Sequence, residues 1–173
     1  MLNVEIKAEL RDIELARTVC RSIGAKHIGT LIQADTYFRI PQGRFKRRVT
    51  EGEPTEYILY DRPDRSRPKL SHFSLFSEAE AASRYGSSPM PELCVVHKQR
   101  DFYMYGNTRI HLDQVRDLGT FIEFEAMVSP ANNVARCHAE IASLRSSFEV
   151  VMGEPIACSY ADLLLQSAGE STH

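Results

Sequence analysis

At 173 residues and 19.6 kDa, with 43% hydrophobic and 25% charged residues, the chain has the make-up of one soluble globular domain. A net charge of −2 and a pI near 6.3 exclude a global field drawing it to nucleic acid or membrane, so any basic site must be local. Its four cysteines show neither C-x-x-C nor zinc-type spacing, and no apolar run approaches the ~18 residues of a membrane span, so a cytoplasmic protein with reduced thiols is expected.

Residues 3–10, N-V-E-I-K-A-E-L, alternate without a break. Successive strand side chains point to opposite faces, so Asn3, Glu5, Lys7 and Glu9 share one face and Val4, Ile6, Ala8 and Leu10 the other. Asp12 can cap a helix whose apolar positions Ile13, Ala16, Val19, Cys20 and Ile23 fall at helical spacing, ending near Gly24. Residues 26–38 turn extended again, with Gln33, Asp35 and Tyr37 on one parity, and Pro41-Gln42-Gly43 reads as a hairpin turn into a basic strand over 44–49. A polar loop at 51–54, a strand over 55–62, a turn at Arg62-Pro63-Asp64 and a short strand over 71–76 follow. Ser77 and Glu80 have capping-box spacing for a short helix to Tyr85, and the linker-like stretch 86–91 is too short to divide the chain.

Strands over 93–102 and 108–113 are joined by Tyr105-Gly106-Asn107, and 115–119 turns the chain into a strand over 120–128. Pro130 is expected to start a helix striped by Val134, Cys137, Ile141 and Leu144. A last short helix over 159–166 carries three consecutive leucines, to be docked on the sheet or at the contact of a homodimer. A single domain over 1–173 is expected, its core about 3–165 and residues 166–173 a flexible tail. Short strands at regular spacing, with helices confined to connections, predict an α+β fold whose antiparallel sheet is large enough to close.

The parity test places Lys7, Arg44, Lys46, Arg48, Arg62, Lys98, Arg100 and Arg109 on polar strand faces, with Glu5, Glu9, Asp113, Glu123 and Glu125. Eight cations against five carboxylates leave a local balance of 8 − 5 = +3. Burying one ion in a dry interior costs several kcal/mol, against a total stability of about 5–15 kcal/mol. The polar face must therefore be wet, either on an open outer surface or around the bore of a closed barrel with helices outside. Arginine forks and lysine points suit phosphate oxygens, and grouped carboxylates suit a hard cation such as Mg²⁺ or Mn²⁺.

Six stretches carry a resemblance: N-V-E-I-K-A at 3–8, Q-A-D-T-Y-F at 33–38, G-R-F-K-R-R at 43–48, H-K-Q-R at 97–100, R-I-H-L-D-Q-V at 109–115 and L-G-T-F-I-E-F-E at 118–125. Together, and in order, they resemble the CYTH superfamily of class IV adenylyl cyclases, thiamine triphosphatases and inorganic triphosphatases, the triphosphate tunnel metalloenzymes. S-Y-A-D-L-L at 159–164 is closest to the class IV adenylyl cyclase-like branch. The resemblance implies a closed barrel of about eight antiparallel strands around a charged tunnel, Mg²⁺ or Mn²⁺ dependence, and a small triphosphate as substrate (ATP, thiamine triphosphate or inorganic triphosphate); from the net charge, neither nucleic acid nor membrane is expected as a partner. It implies that Lys7, Arg44, Lys46, Arg48, Arg62, Lys98, Arg100 and Arg109 hold phosphates. Glu5, Asp113, Glu123 and Glu125 would hold the metal or orient the attacking group, and Glu5, Lys7, Arg100 and Glu123 would be central to catalysis. The family's opening pattern E-x-E-x-K is broken by Asn3, which puts a second metal in doubt. Glu9 stands outside the implied site, and Arg47 has outward parity.

Three activities remain open at this point. The chain could be a cyclase converting ATP to cyclic AMP and pyrophosphate, a triphosphatase, or a non-catalytic polyphosphate- or nucleotide-binding module. His111, between Arg109 and Asp113 in parity, fits either proton transfer or a structural place in the wall, whereas His97 has the parity of the apolar side.

Overall fold

A computed structural model describes residues 1–170. Nine strands and four helices run in the order β1 (Leu2–Leu10), α1 (Ile13–Ser22), β2 (Lys26–Phe38), β3 (Arg44–Thr50), β4 (Glu56–Asp61), β5 (Lys69–Ser77), α2 (Glu78–Tyr85), β6 (Glu92–Tyr105), β7 (Thr108–Val115), β8 (Gly119–Met127), α3 (Val134–Ser147), β9 (Met152–Pro155) and α4 (Tyr160–Glu170). The sheet order is β5-β4-β3-β2-β6-β7-β8-β1-β9, every pairing is antiparallel, and β5 also pairs with β1. That last pairing closes eight strands into a barrel. Strand β1 divides one edge between two neighbours: Leu2 to Glu5 meet His72 to Lys69 of β5, and Ala8 and Leu10 meet Pro155 and Met152 of β9.

The unbroken alternation of β1 decides where the core sits. Val4, Ile6, Ala8 and Leu10 point outward and are buried with Ile110, Leu112, Ile122, Phe124 and Ala126 beneath Cys137, Ile141 and Leu144 of α3 and Phe148 after it. Helix α1, capped by Asp12 accepting from the backbone N–H of Leu15, adds Ala16 and Cys20 to the same core. The main apolar core thus lies between barrel wall and outer helices, leaving the interior to the charged faces. A second cluster seals one end of the bore, where Tyr160 and Ala161 at the start of α4 pack on Tyr37, Val96, Val115 and Phe121.

Several boundaries differ from expectation, β6 running on to Tyr105 and β7 to Val115 among them. Helix α3 begins at Val134 rather than near Pro130, because the Asn133 side chain caps it by accepting from the backbone N–H of Arg136 and Ser129 bridges Asn132 ahead of it. Strand β9 went unforeseen: four residues containing a glycine and a proline carry no strand pattern of their own. Strand β5 starts two residues early, at Lys69, which brings a lysine into the wall. Helix α4 runs to Glu170, through the first part of the expected tail; residues 171–173 lie outside the described residues. The expected capping box of α2 forms, Ser77 and Glu80 each accepting from the other's backbone N–H. No helix among the described residues is long and apolar enough to cross a membrane.

Candidate functional site

The bore holds a cavity of about 380 Å³, within the size of sites that enclose small organic ligands. Seven cations line it: Lys7, Lys46, Arg48, Arg62, Lys98, Arg100 and Arg109. The carboxylates in the lining are Glu5, Glu56, Glu123 and Glu125. The strand register orders these groups. The Tyr160 end carries Tyr37 and Ser159, whereas Leu31, Phe73, Leu75 and Phe102 cluster toward the opposite mouth.

Two buried aspartates hold the basic wall in place. Asp35 on β2 is fully buried and accepts from Arg48 through both oxygens at 2.7 Å, from Lys98 at 2.8 Å and from Lys46 at 3.0 Å. Burial alone would push its carboxyl up, but Arg48, Lys46 and Lys98 together hold it well below the carboxylate range. Asp113 on β7 takes both forks of Arg100 at 2.7 Å and the Tyr160 hydroxyl at 2.7 Å. Here too the Arg100 guanidinium overrides burial and holds the carboxyl at about 2. Paired arginine–carboxylate forks fix direction as well as charge, so Arg48 and Arg100 stand pre-aimed along the wall.

The acidic side lies where β1, β7 and β8 meet. Their register sets Lys7 opposite Glu123, Glu5 opposite Glu125, His111 opposite Glu123 and Arg109 opposite Glu125. Lys7 Nζ lies 3.3 Å from Glu123 Oε2 and 3.8 Å from the centre of the Tyr160 ring. Glu5 is paired with Arg62 at 2.9 Å. Burial and the neighbouring Glu123 charge push Glu125 well up, while Lys7, against the pull of burial, holds Glu123 well down. One carboxylate of the group is thus charged at the expense of the other, as expected where like charges crowd a site. His111, Glu123 and Glu125 bring ligand atoms within 4.8 Å of one another, a grouping that could hold a cation.

The remaining candidates fall in several places. Arg44 sits beyond the main cavity, tied to Asp64 at 3.0 Å and Asp162 at 2.9 Å, where it joins β3 to α4. Arg109 is half-exposed at the mouth, 3.8 Å from Glu125. Asp113 lies apart from the Glu123–Glu125 group with its oxygens taken by Arg100 and Tyr160. Glu9 is exposed and His97 half-buried.

Asp35, Tyr160 and Lys69 were not among the candidates. Parity had put Asp35 on the correct face, and three cations spaced around it on β3 and β6 were the available signal. Lys69, opposite Glu5 on β5, donates to the backbone oxygens of Arg65 and Ala157 at 2.8 Å.

The residues of the acidic group suit a metal ion. Asn3 Oδ1 is buried against the cavity without a hydrogen-bond partner among the described residues, and two glutamates crowd beside a histidine. Such a donor set accepts a divalent ion.

Comparison with known proteins agrees with this architecture. Residues 1–160 match the family model described as the CYTH domain. A Methanocaldococcus jannaschii protein named "Putative adenylate cyclase" is 22% identical over 172 residues, covering 94% of this chain and 98% of its own. The X-ray structure of a Vibrio parahaemolyticus protein, also titled a "putative adenylate cyclase", superposes with a TM-score of 0.75 at 16% identity, over 95% of this chain and 98% of that one. A Hippeastrum structure titled a "putative adenylyl cyclase" with a dominant triphosphatase activity superposes with a TM-score of 0.61 at 13% identity, over 96% of each chain.

Proposed function

The chain belongs to the CYTH domain family, and from that membership we propose that it is a divalent-metal-dependent enzyme acting on a small triphosphate inside its barrel. One observation carries the reading: seven cations and a crowded acidic group line a single cavity, with two buried aspartates fixing four of those cations in direction. Phosphoryl transfer asks mainly for positioning and for stabilising charge spread over phosphoryl oxygens. Lys7, Lys46, Arg48, Arg62, Lys98, Arg100 and Arg109 are assigned to the triphosphate, each charge-assisted bond contributing about 1.5–3 kcal/mol. Arg44, held by two aspartates beyond the main cavity, is assigned to joining β3 to α4 rather than to a phosphate.

Glu5, Glu123 and Glu125 are assigned to the metal, with Mg²⁺ or Mn²⁺ the expected ion. When bound, the ion neutralises phosphate oxygens and offsets the repulsion among these carboxylates. Glu5, whose carboxyl burial raises, also suits orientation of the attacking hydroxyl or water.

Adenylyl cyclase-like chemistry is the first reading, supported by the name of the Methanocaldococcus jannaschii relative over nearly the whole length of both chains. In it the ribose 3′-oxygen of ATP attacks the α-phosphorus, the bond to the α–β bridging oxygen breaks, and pyrophosphate leaves as the hydroxyl loses its proton. Hydrolysis is the second reading, supported by the triphosphatase title of the Hippeastrum structure. In it water attacks the terminal phosphorus of inorganic or thiamine triphosphate and the terminal P–O–P bond breaks.

Incubation with Mg²⁺ or Mn²⁺ and each of ATP, inorganic triphosphate and thiamine triphosphate, followed by product identification, tests both. Cyclic AMP with pyrophosphate from ATP supports the first; orthophosphate with the matching diphosphate, and no cyclic AMP, supports the second. Glu123→Gln and Arg100→Ala are each expected to lower turnover at least about 100-fold. Tight binding of all three without product would make the protein a binding module.

A further inference from the structure

We propose that the open mouth of the barrel is a subsite for the organic group of a triphosphate ester, a flat heteroaromatic ring held between Phe102 with Leu31 and Phe73 with Leu75. The inference rests on the triphosphate reading above and narrows it. The substrate carries a ring, and inorganic triphosphate fills only part of the site.

The bore changes character along its length. Near the end sealed by α4, Lys46, Arg48 and Lys98 gather on Asp35. On the inward face of β2, Gln33 follows Asp35 toward the mouth, and Leu31 follows Gln33. On β6 the same steps run from Lys98 through Arg100 to Phe102. Register sets Gln33 opposite Lys98 and Leu31 opposite Arg100, so a cationic wall gives way to an apolar one. Gly29, opposite Phe102, brings no side chain to cover the ring.

The facing wall is apolar at the same mouth. Strand β6 lies fourth from β5 in either direction around the closed barrel, hence directly across the bore. There Phe73 and Leu75 line the cavity, with Ile58 of β4 opposite Leu75. Leu75 is 43% exposed, and Leu31, Phe73 and Phe102 are half-buried. Apolar and aromatic walls are what small-molecule sites use to hold organic groups. Aromatic side chains facing each other across a gap suit a flat ring, through stacking and area removed from water.

The sealed end decides which part of a ligand reaches these walls. Tyr160 and Ala161 close the bore beyond the basic wall, so a triphosphate ester enters phosphates first. Its ester oxygen then points back toward the mouth, and the organic group lies between the two apolar walls.

An independent observation comes from the place where the two halves meet. Gln33 is 5% exposed and lines the cavity; its Nε2 donates to Thr50 Oγ1 at 3.2 Å, and its Oε1 has no partner among the described residues. A buried acceptor without a donor is costly. Inorganic triphosphate, fully ionised, offers acceptors only. A ring amine or a sugar hydroxyl supplies the missing donor.

The test is calorimetric titration of the full chain in EDTA, where metal-dependent turnover cannot run. The ligands are ATP, thiamine triphosphate, methyl triphosphate and inorganic triphosphate, with adenosine as a control. Methyl triphosphate keeps the ester and its charge but has no ring. ATP or thiamine triphosphate is expected to bind at least about ten-fold tighter than methyl triphosphate, and the tighter of the two identifies the ring. Phe102→Ala and Leu75→Ser are each expected to lower that ratio about five-fold or more, and Gln33→Leu about three-fold. A wild-type ratio near one, or a ratio unchanged in all three variants, overturns the subsite. The wild-type ratio decides even if a variant fails to fold. Equal binding of all four triphosphates would sink the subsite and leave the triphosphate reading standing. Adenosine binding as tightly as ATP would sink the triphosphate reading alone, and no binding of any ligand would sink both.

Discussion

Asp35 holds three cations with two oxygens, and the direction of Arg48 in the bore depends on it. Removing one member of a buried ionic group leaves the others uncompensated, at a cost of about 3–5 kcal/mol. Asp35→Asn is expected to lose that much in urea unfolding. Inorganic triphosphate, by returning anionic oxygens to the freed cations, is expected to raise the melting temperature of the variant more than that of wild type. Equal shifts would show that these cations do not meet the ligand. Lys46 makes a separate prediction. Burial, followed by the Arg48 charge, lowers its ammonium to about 8. The cation is present below that pH and is lost as pH rises through it, so phosphate binding must weaken in that direction. KM for the triphosphate is expected to rise about ten-fold between pH 7 and 9, and Lys46→Arg is expected to flatten the rise.

Among the elements, α4 closes one end of the barrel and does so through chemistry as well as packing. The Tyr160 hydroxyl donates to Asp113, its ring lies under Lys7, and Asp162 accepts from Arg44. Tyr160→Phe keeps the ring and removes one hydrogen bond to a charged acceptor. It is expected to cost about 1.5–3 kcal/mol in denaturant unfolding and to lower turnover through Arg100, the other partner of Asp113. The hairpin between β2 and β3 depends on backbone freedom instead. Gly43 has φ +77°, and a Cβ there would stand 3.1 Å from the Tyr60 carbonyl oxygen. Gly43→Ala is therefore expected to cost roughly 1–2 kcal/mol, read in the same unfolding experiment. The three leucines of α4 illustrate how far an element can be read alone: Leu163 and Leu164 pack on the barrel end, while Leu165 is 43% exposed.

For the whole molecule, closure turns the inward faces of eight strands into one charged interior, which makes stability depend on buried ion pairs. Asp113 has a folded value of about 2 against 3.8 for a free carboxyl. Its contribution is fully present above pH 4 and is lost as pH falls toward 2, about 2 kcal/mol in all. Acid unfolding monitored by far-UV circular dichroism is expected to steepen over that window, and Asp113→Asn to remove this dependence while destabilising the protein at neutral pH. The resemblance to tunnel proteins and the match to the CYTH domain agree with the closed barrel, and the same closure brings β1, β7 and β8 together at the acidic group.

Strand alternation was enough to sort residues between faces, because period two leaves a side chain only one of two sides. That is why Glu5, Lys7, Lys46, Arg48, Arg62, Lys98, Arg100, Glu123 and Glu125 could be grouped before any coordinates, and why Arg47 could be set apart. Parity says nothing about depth along the bore or about which opposite charge a side chain meets. Only the register and closure of the barrel decided that Asp113 belongs to Arg100 and Tyr160, that Asp35 gathers three cations, and that His111 stands beside Glu123 and Glu125. Those neighbours come from strands distant in sequence, and electrostatic partnership is set by distances of a few ångströms that no spacing along one chain contains.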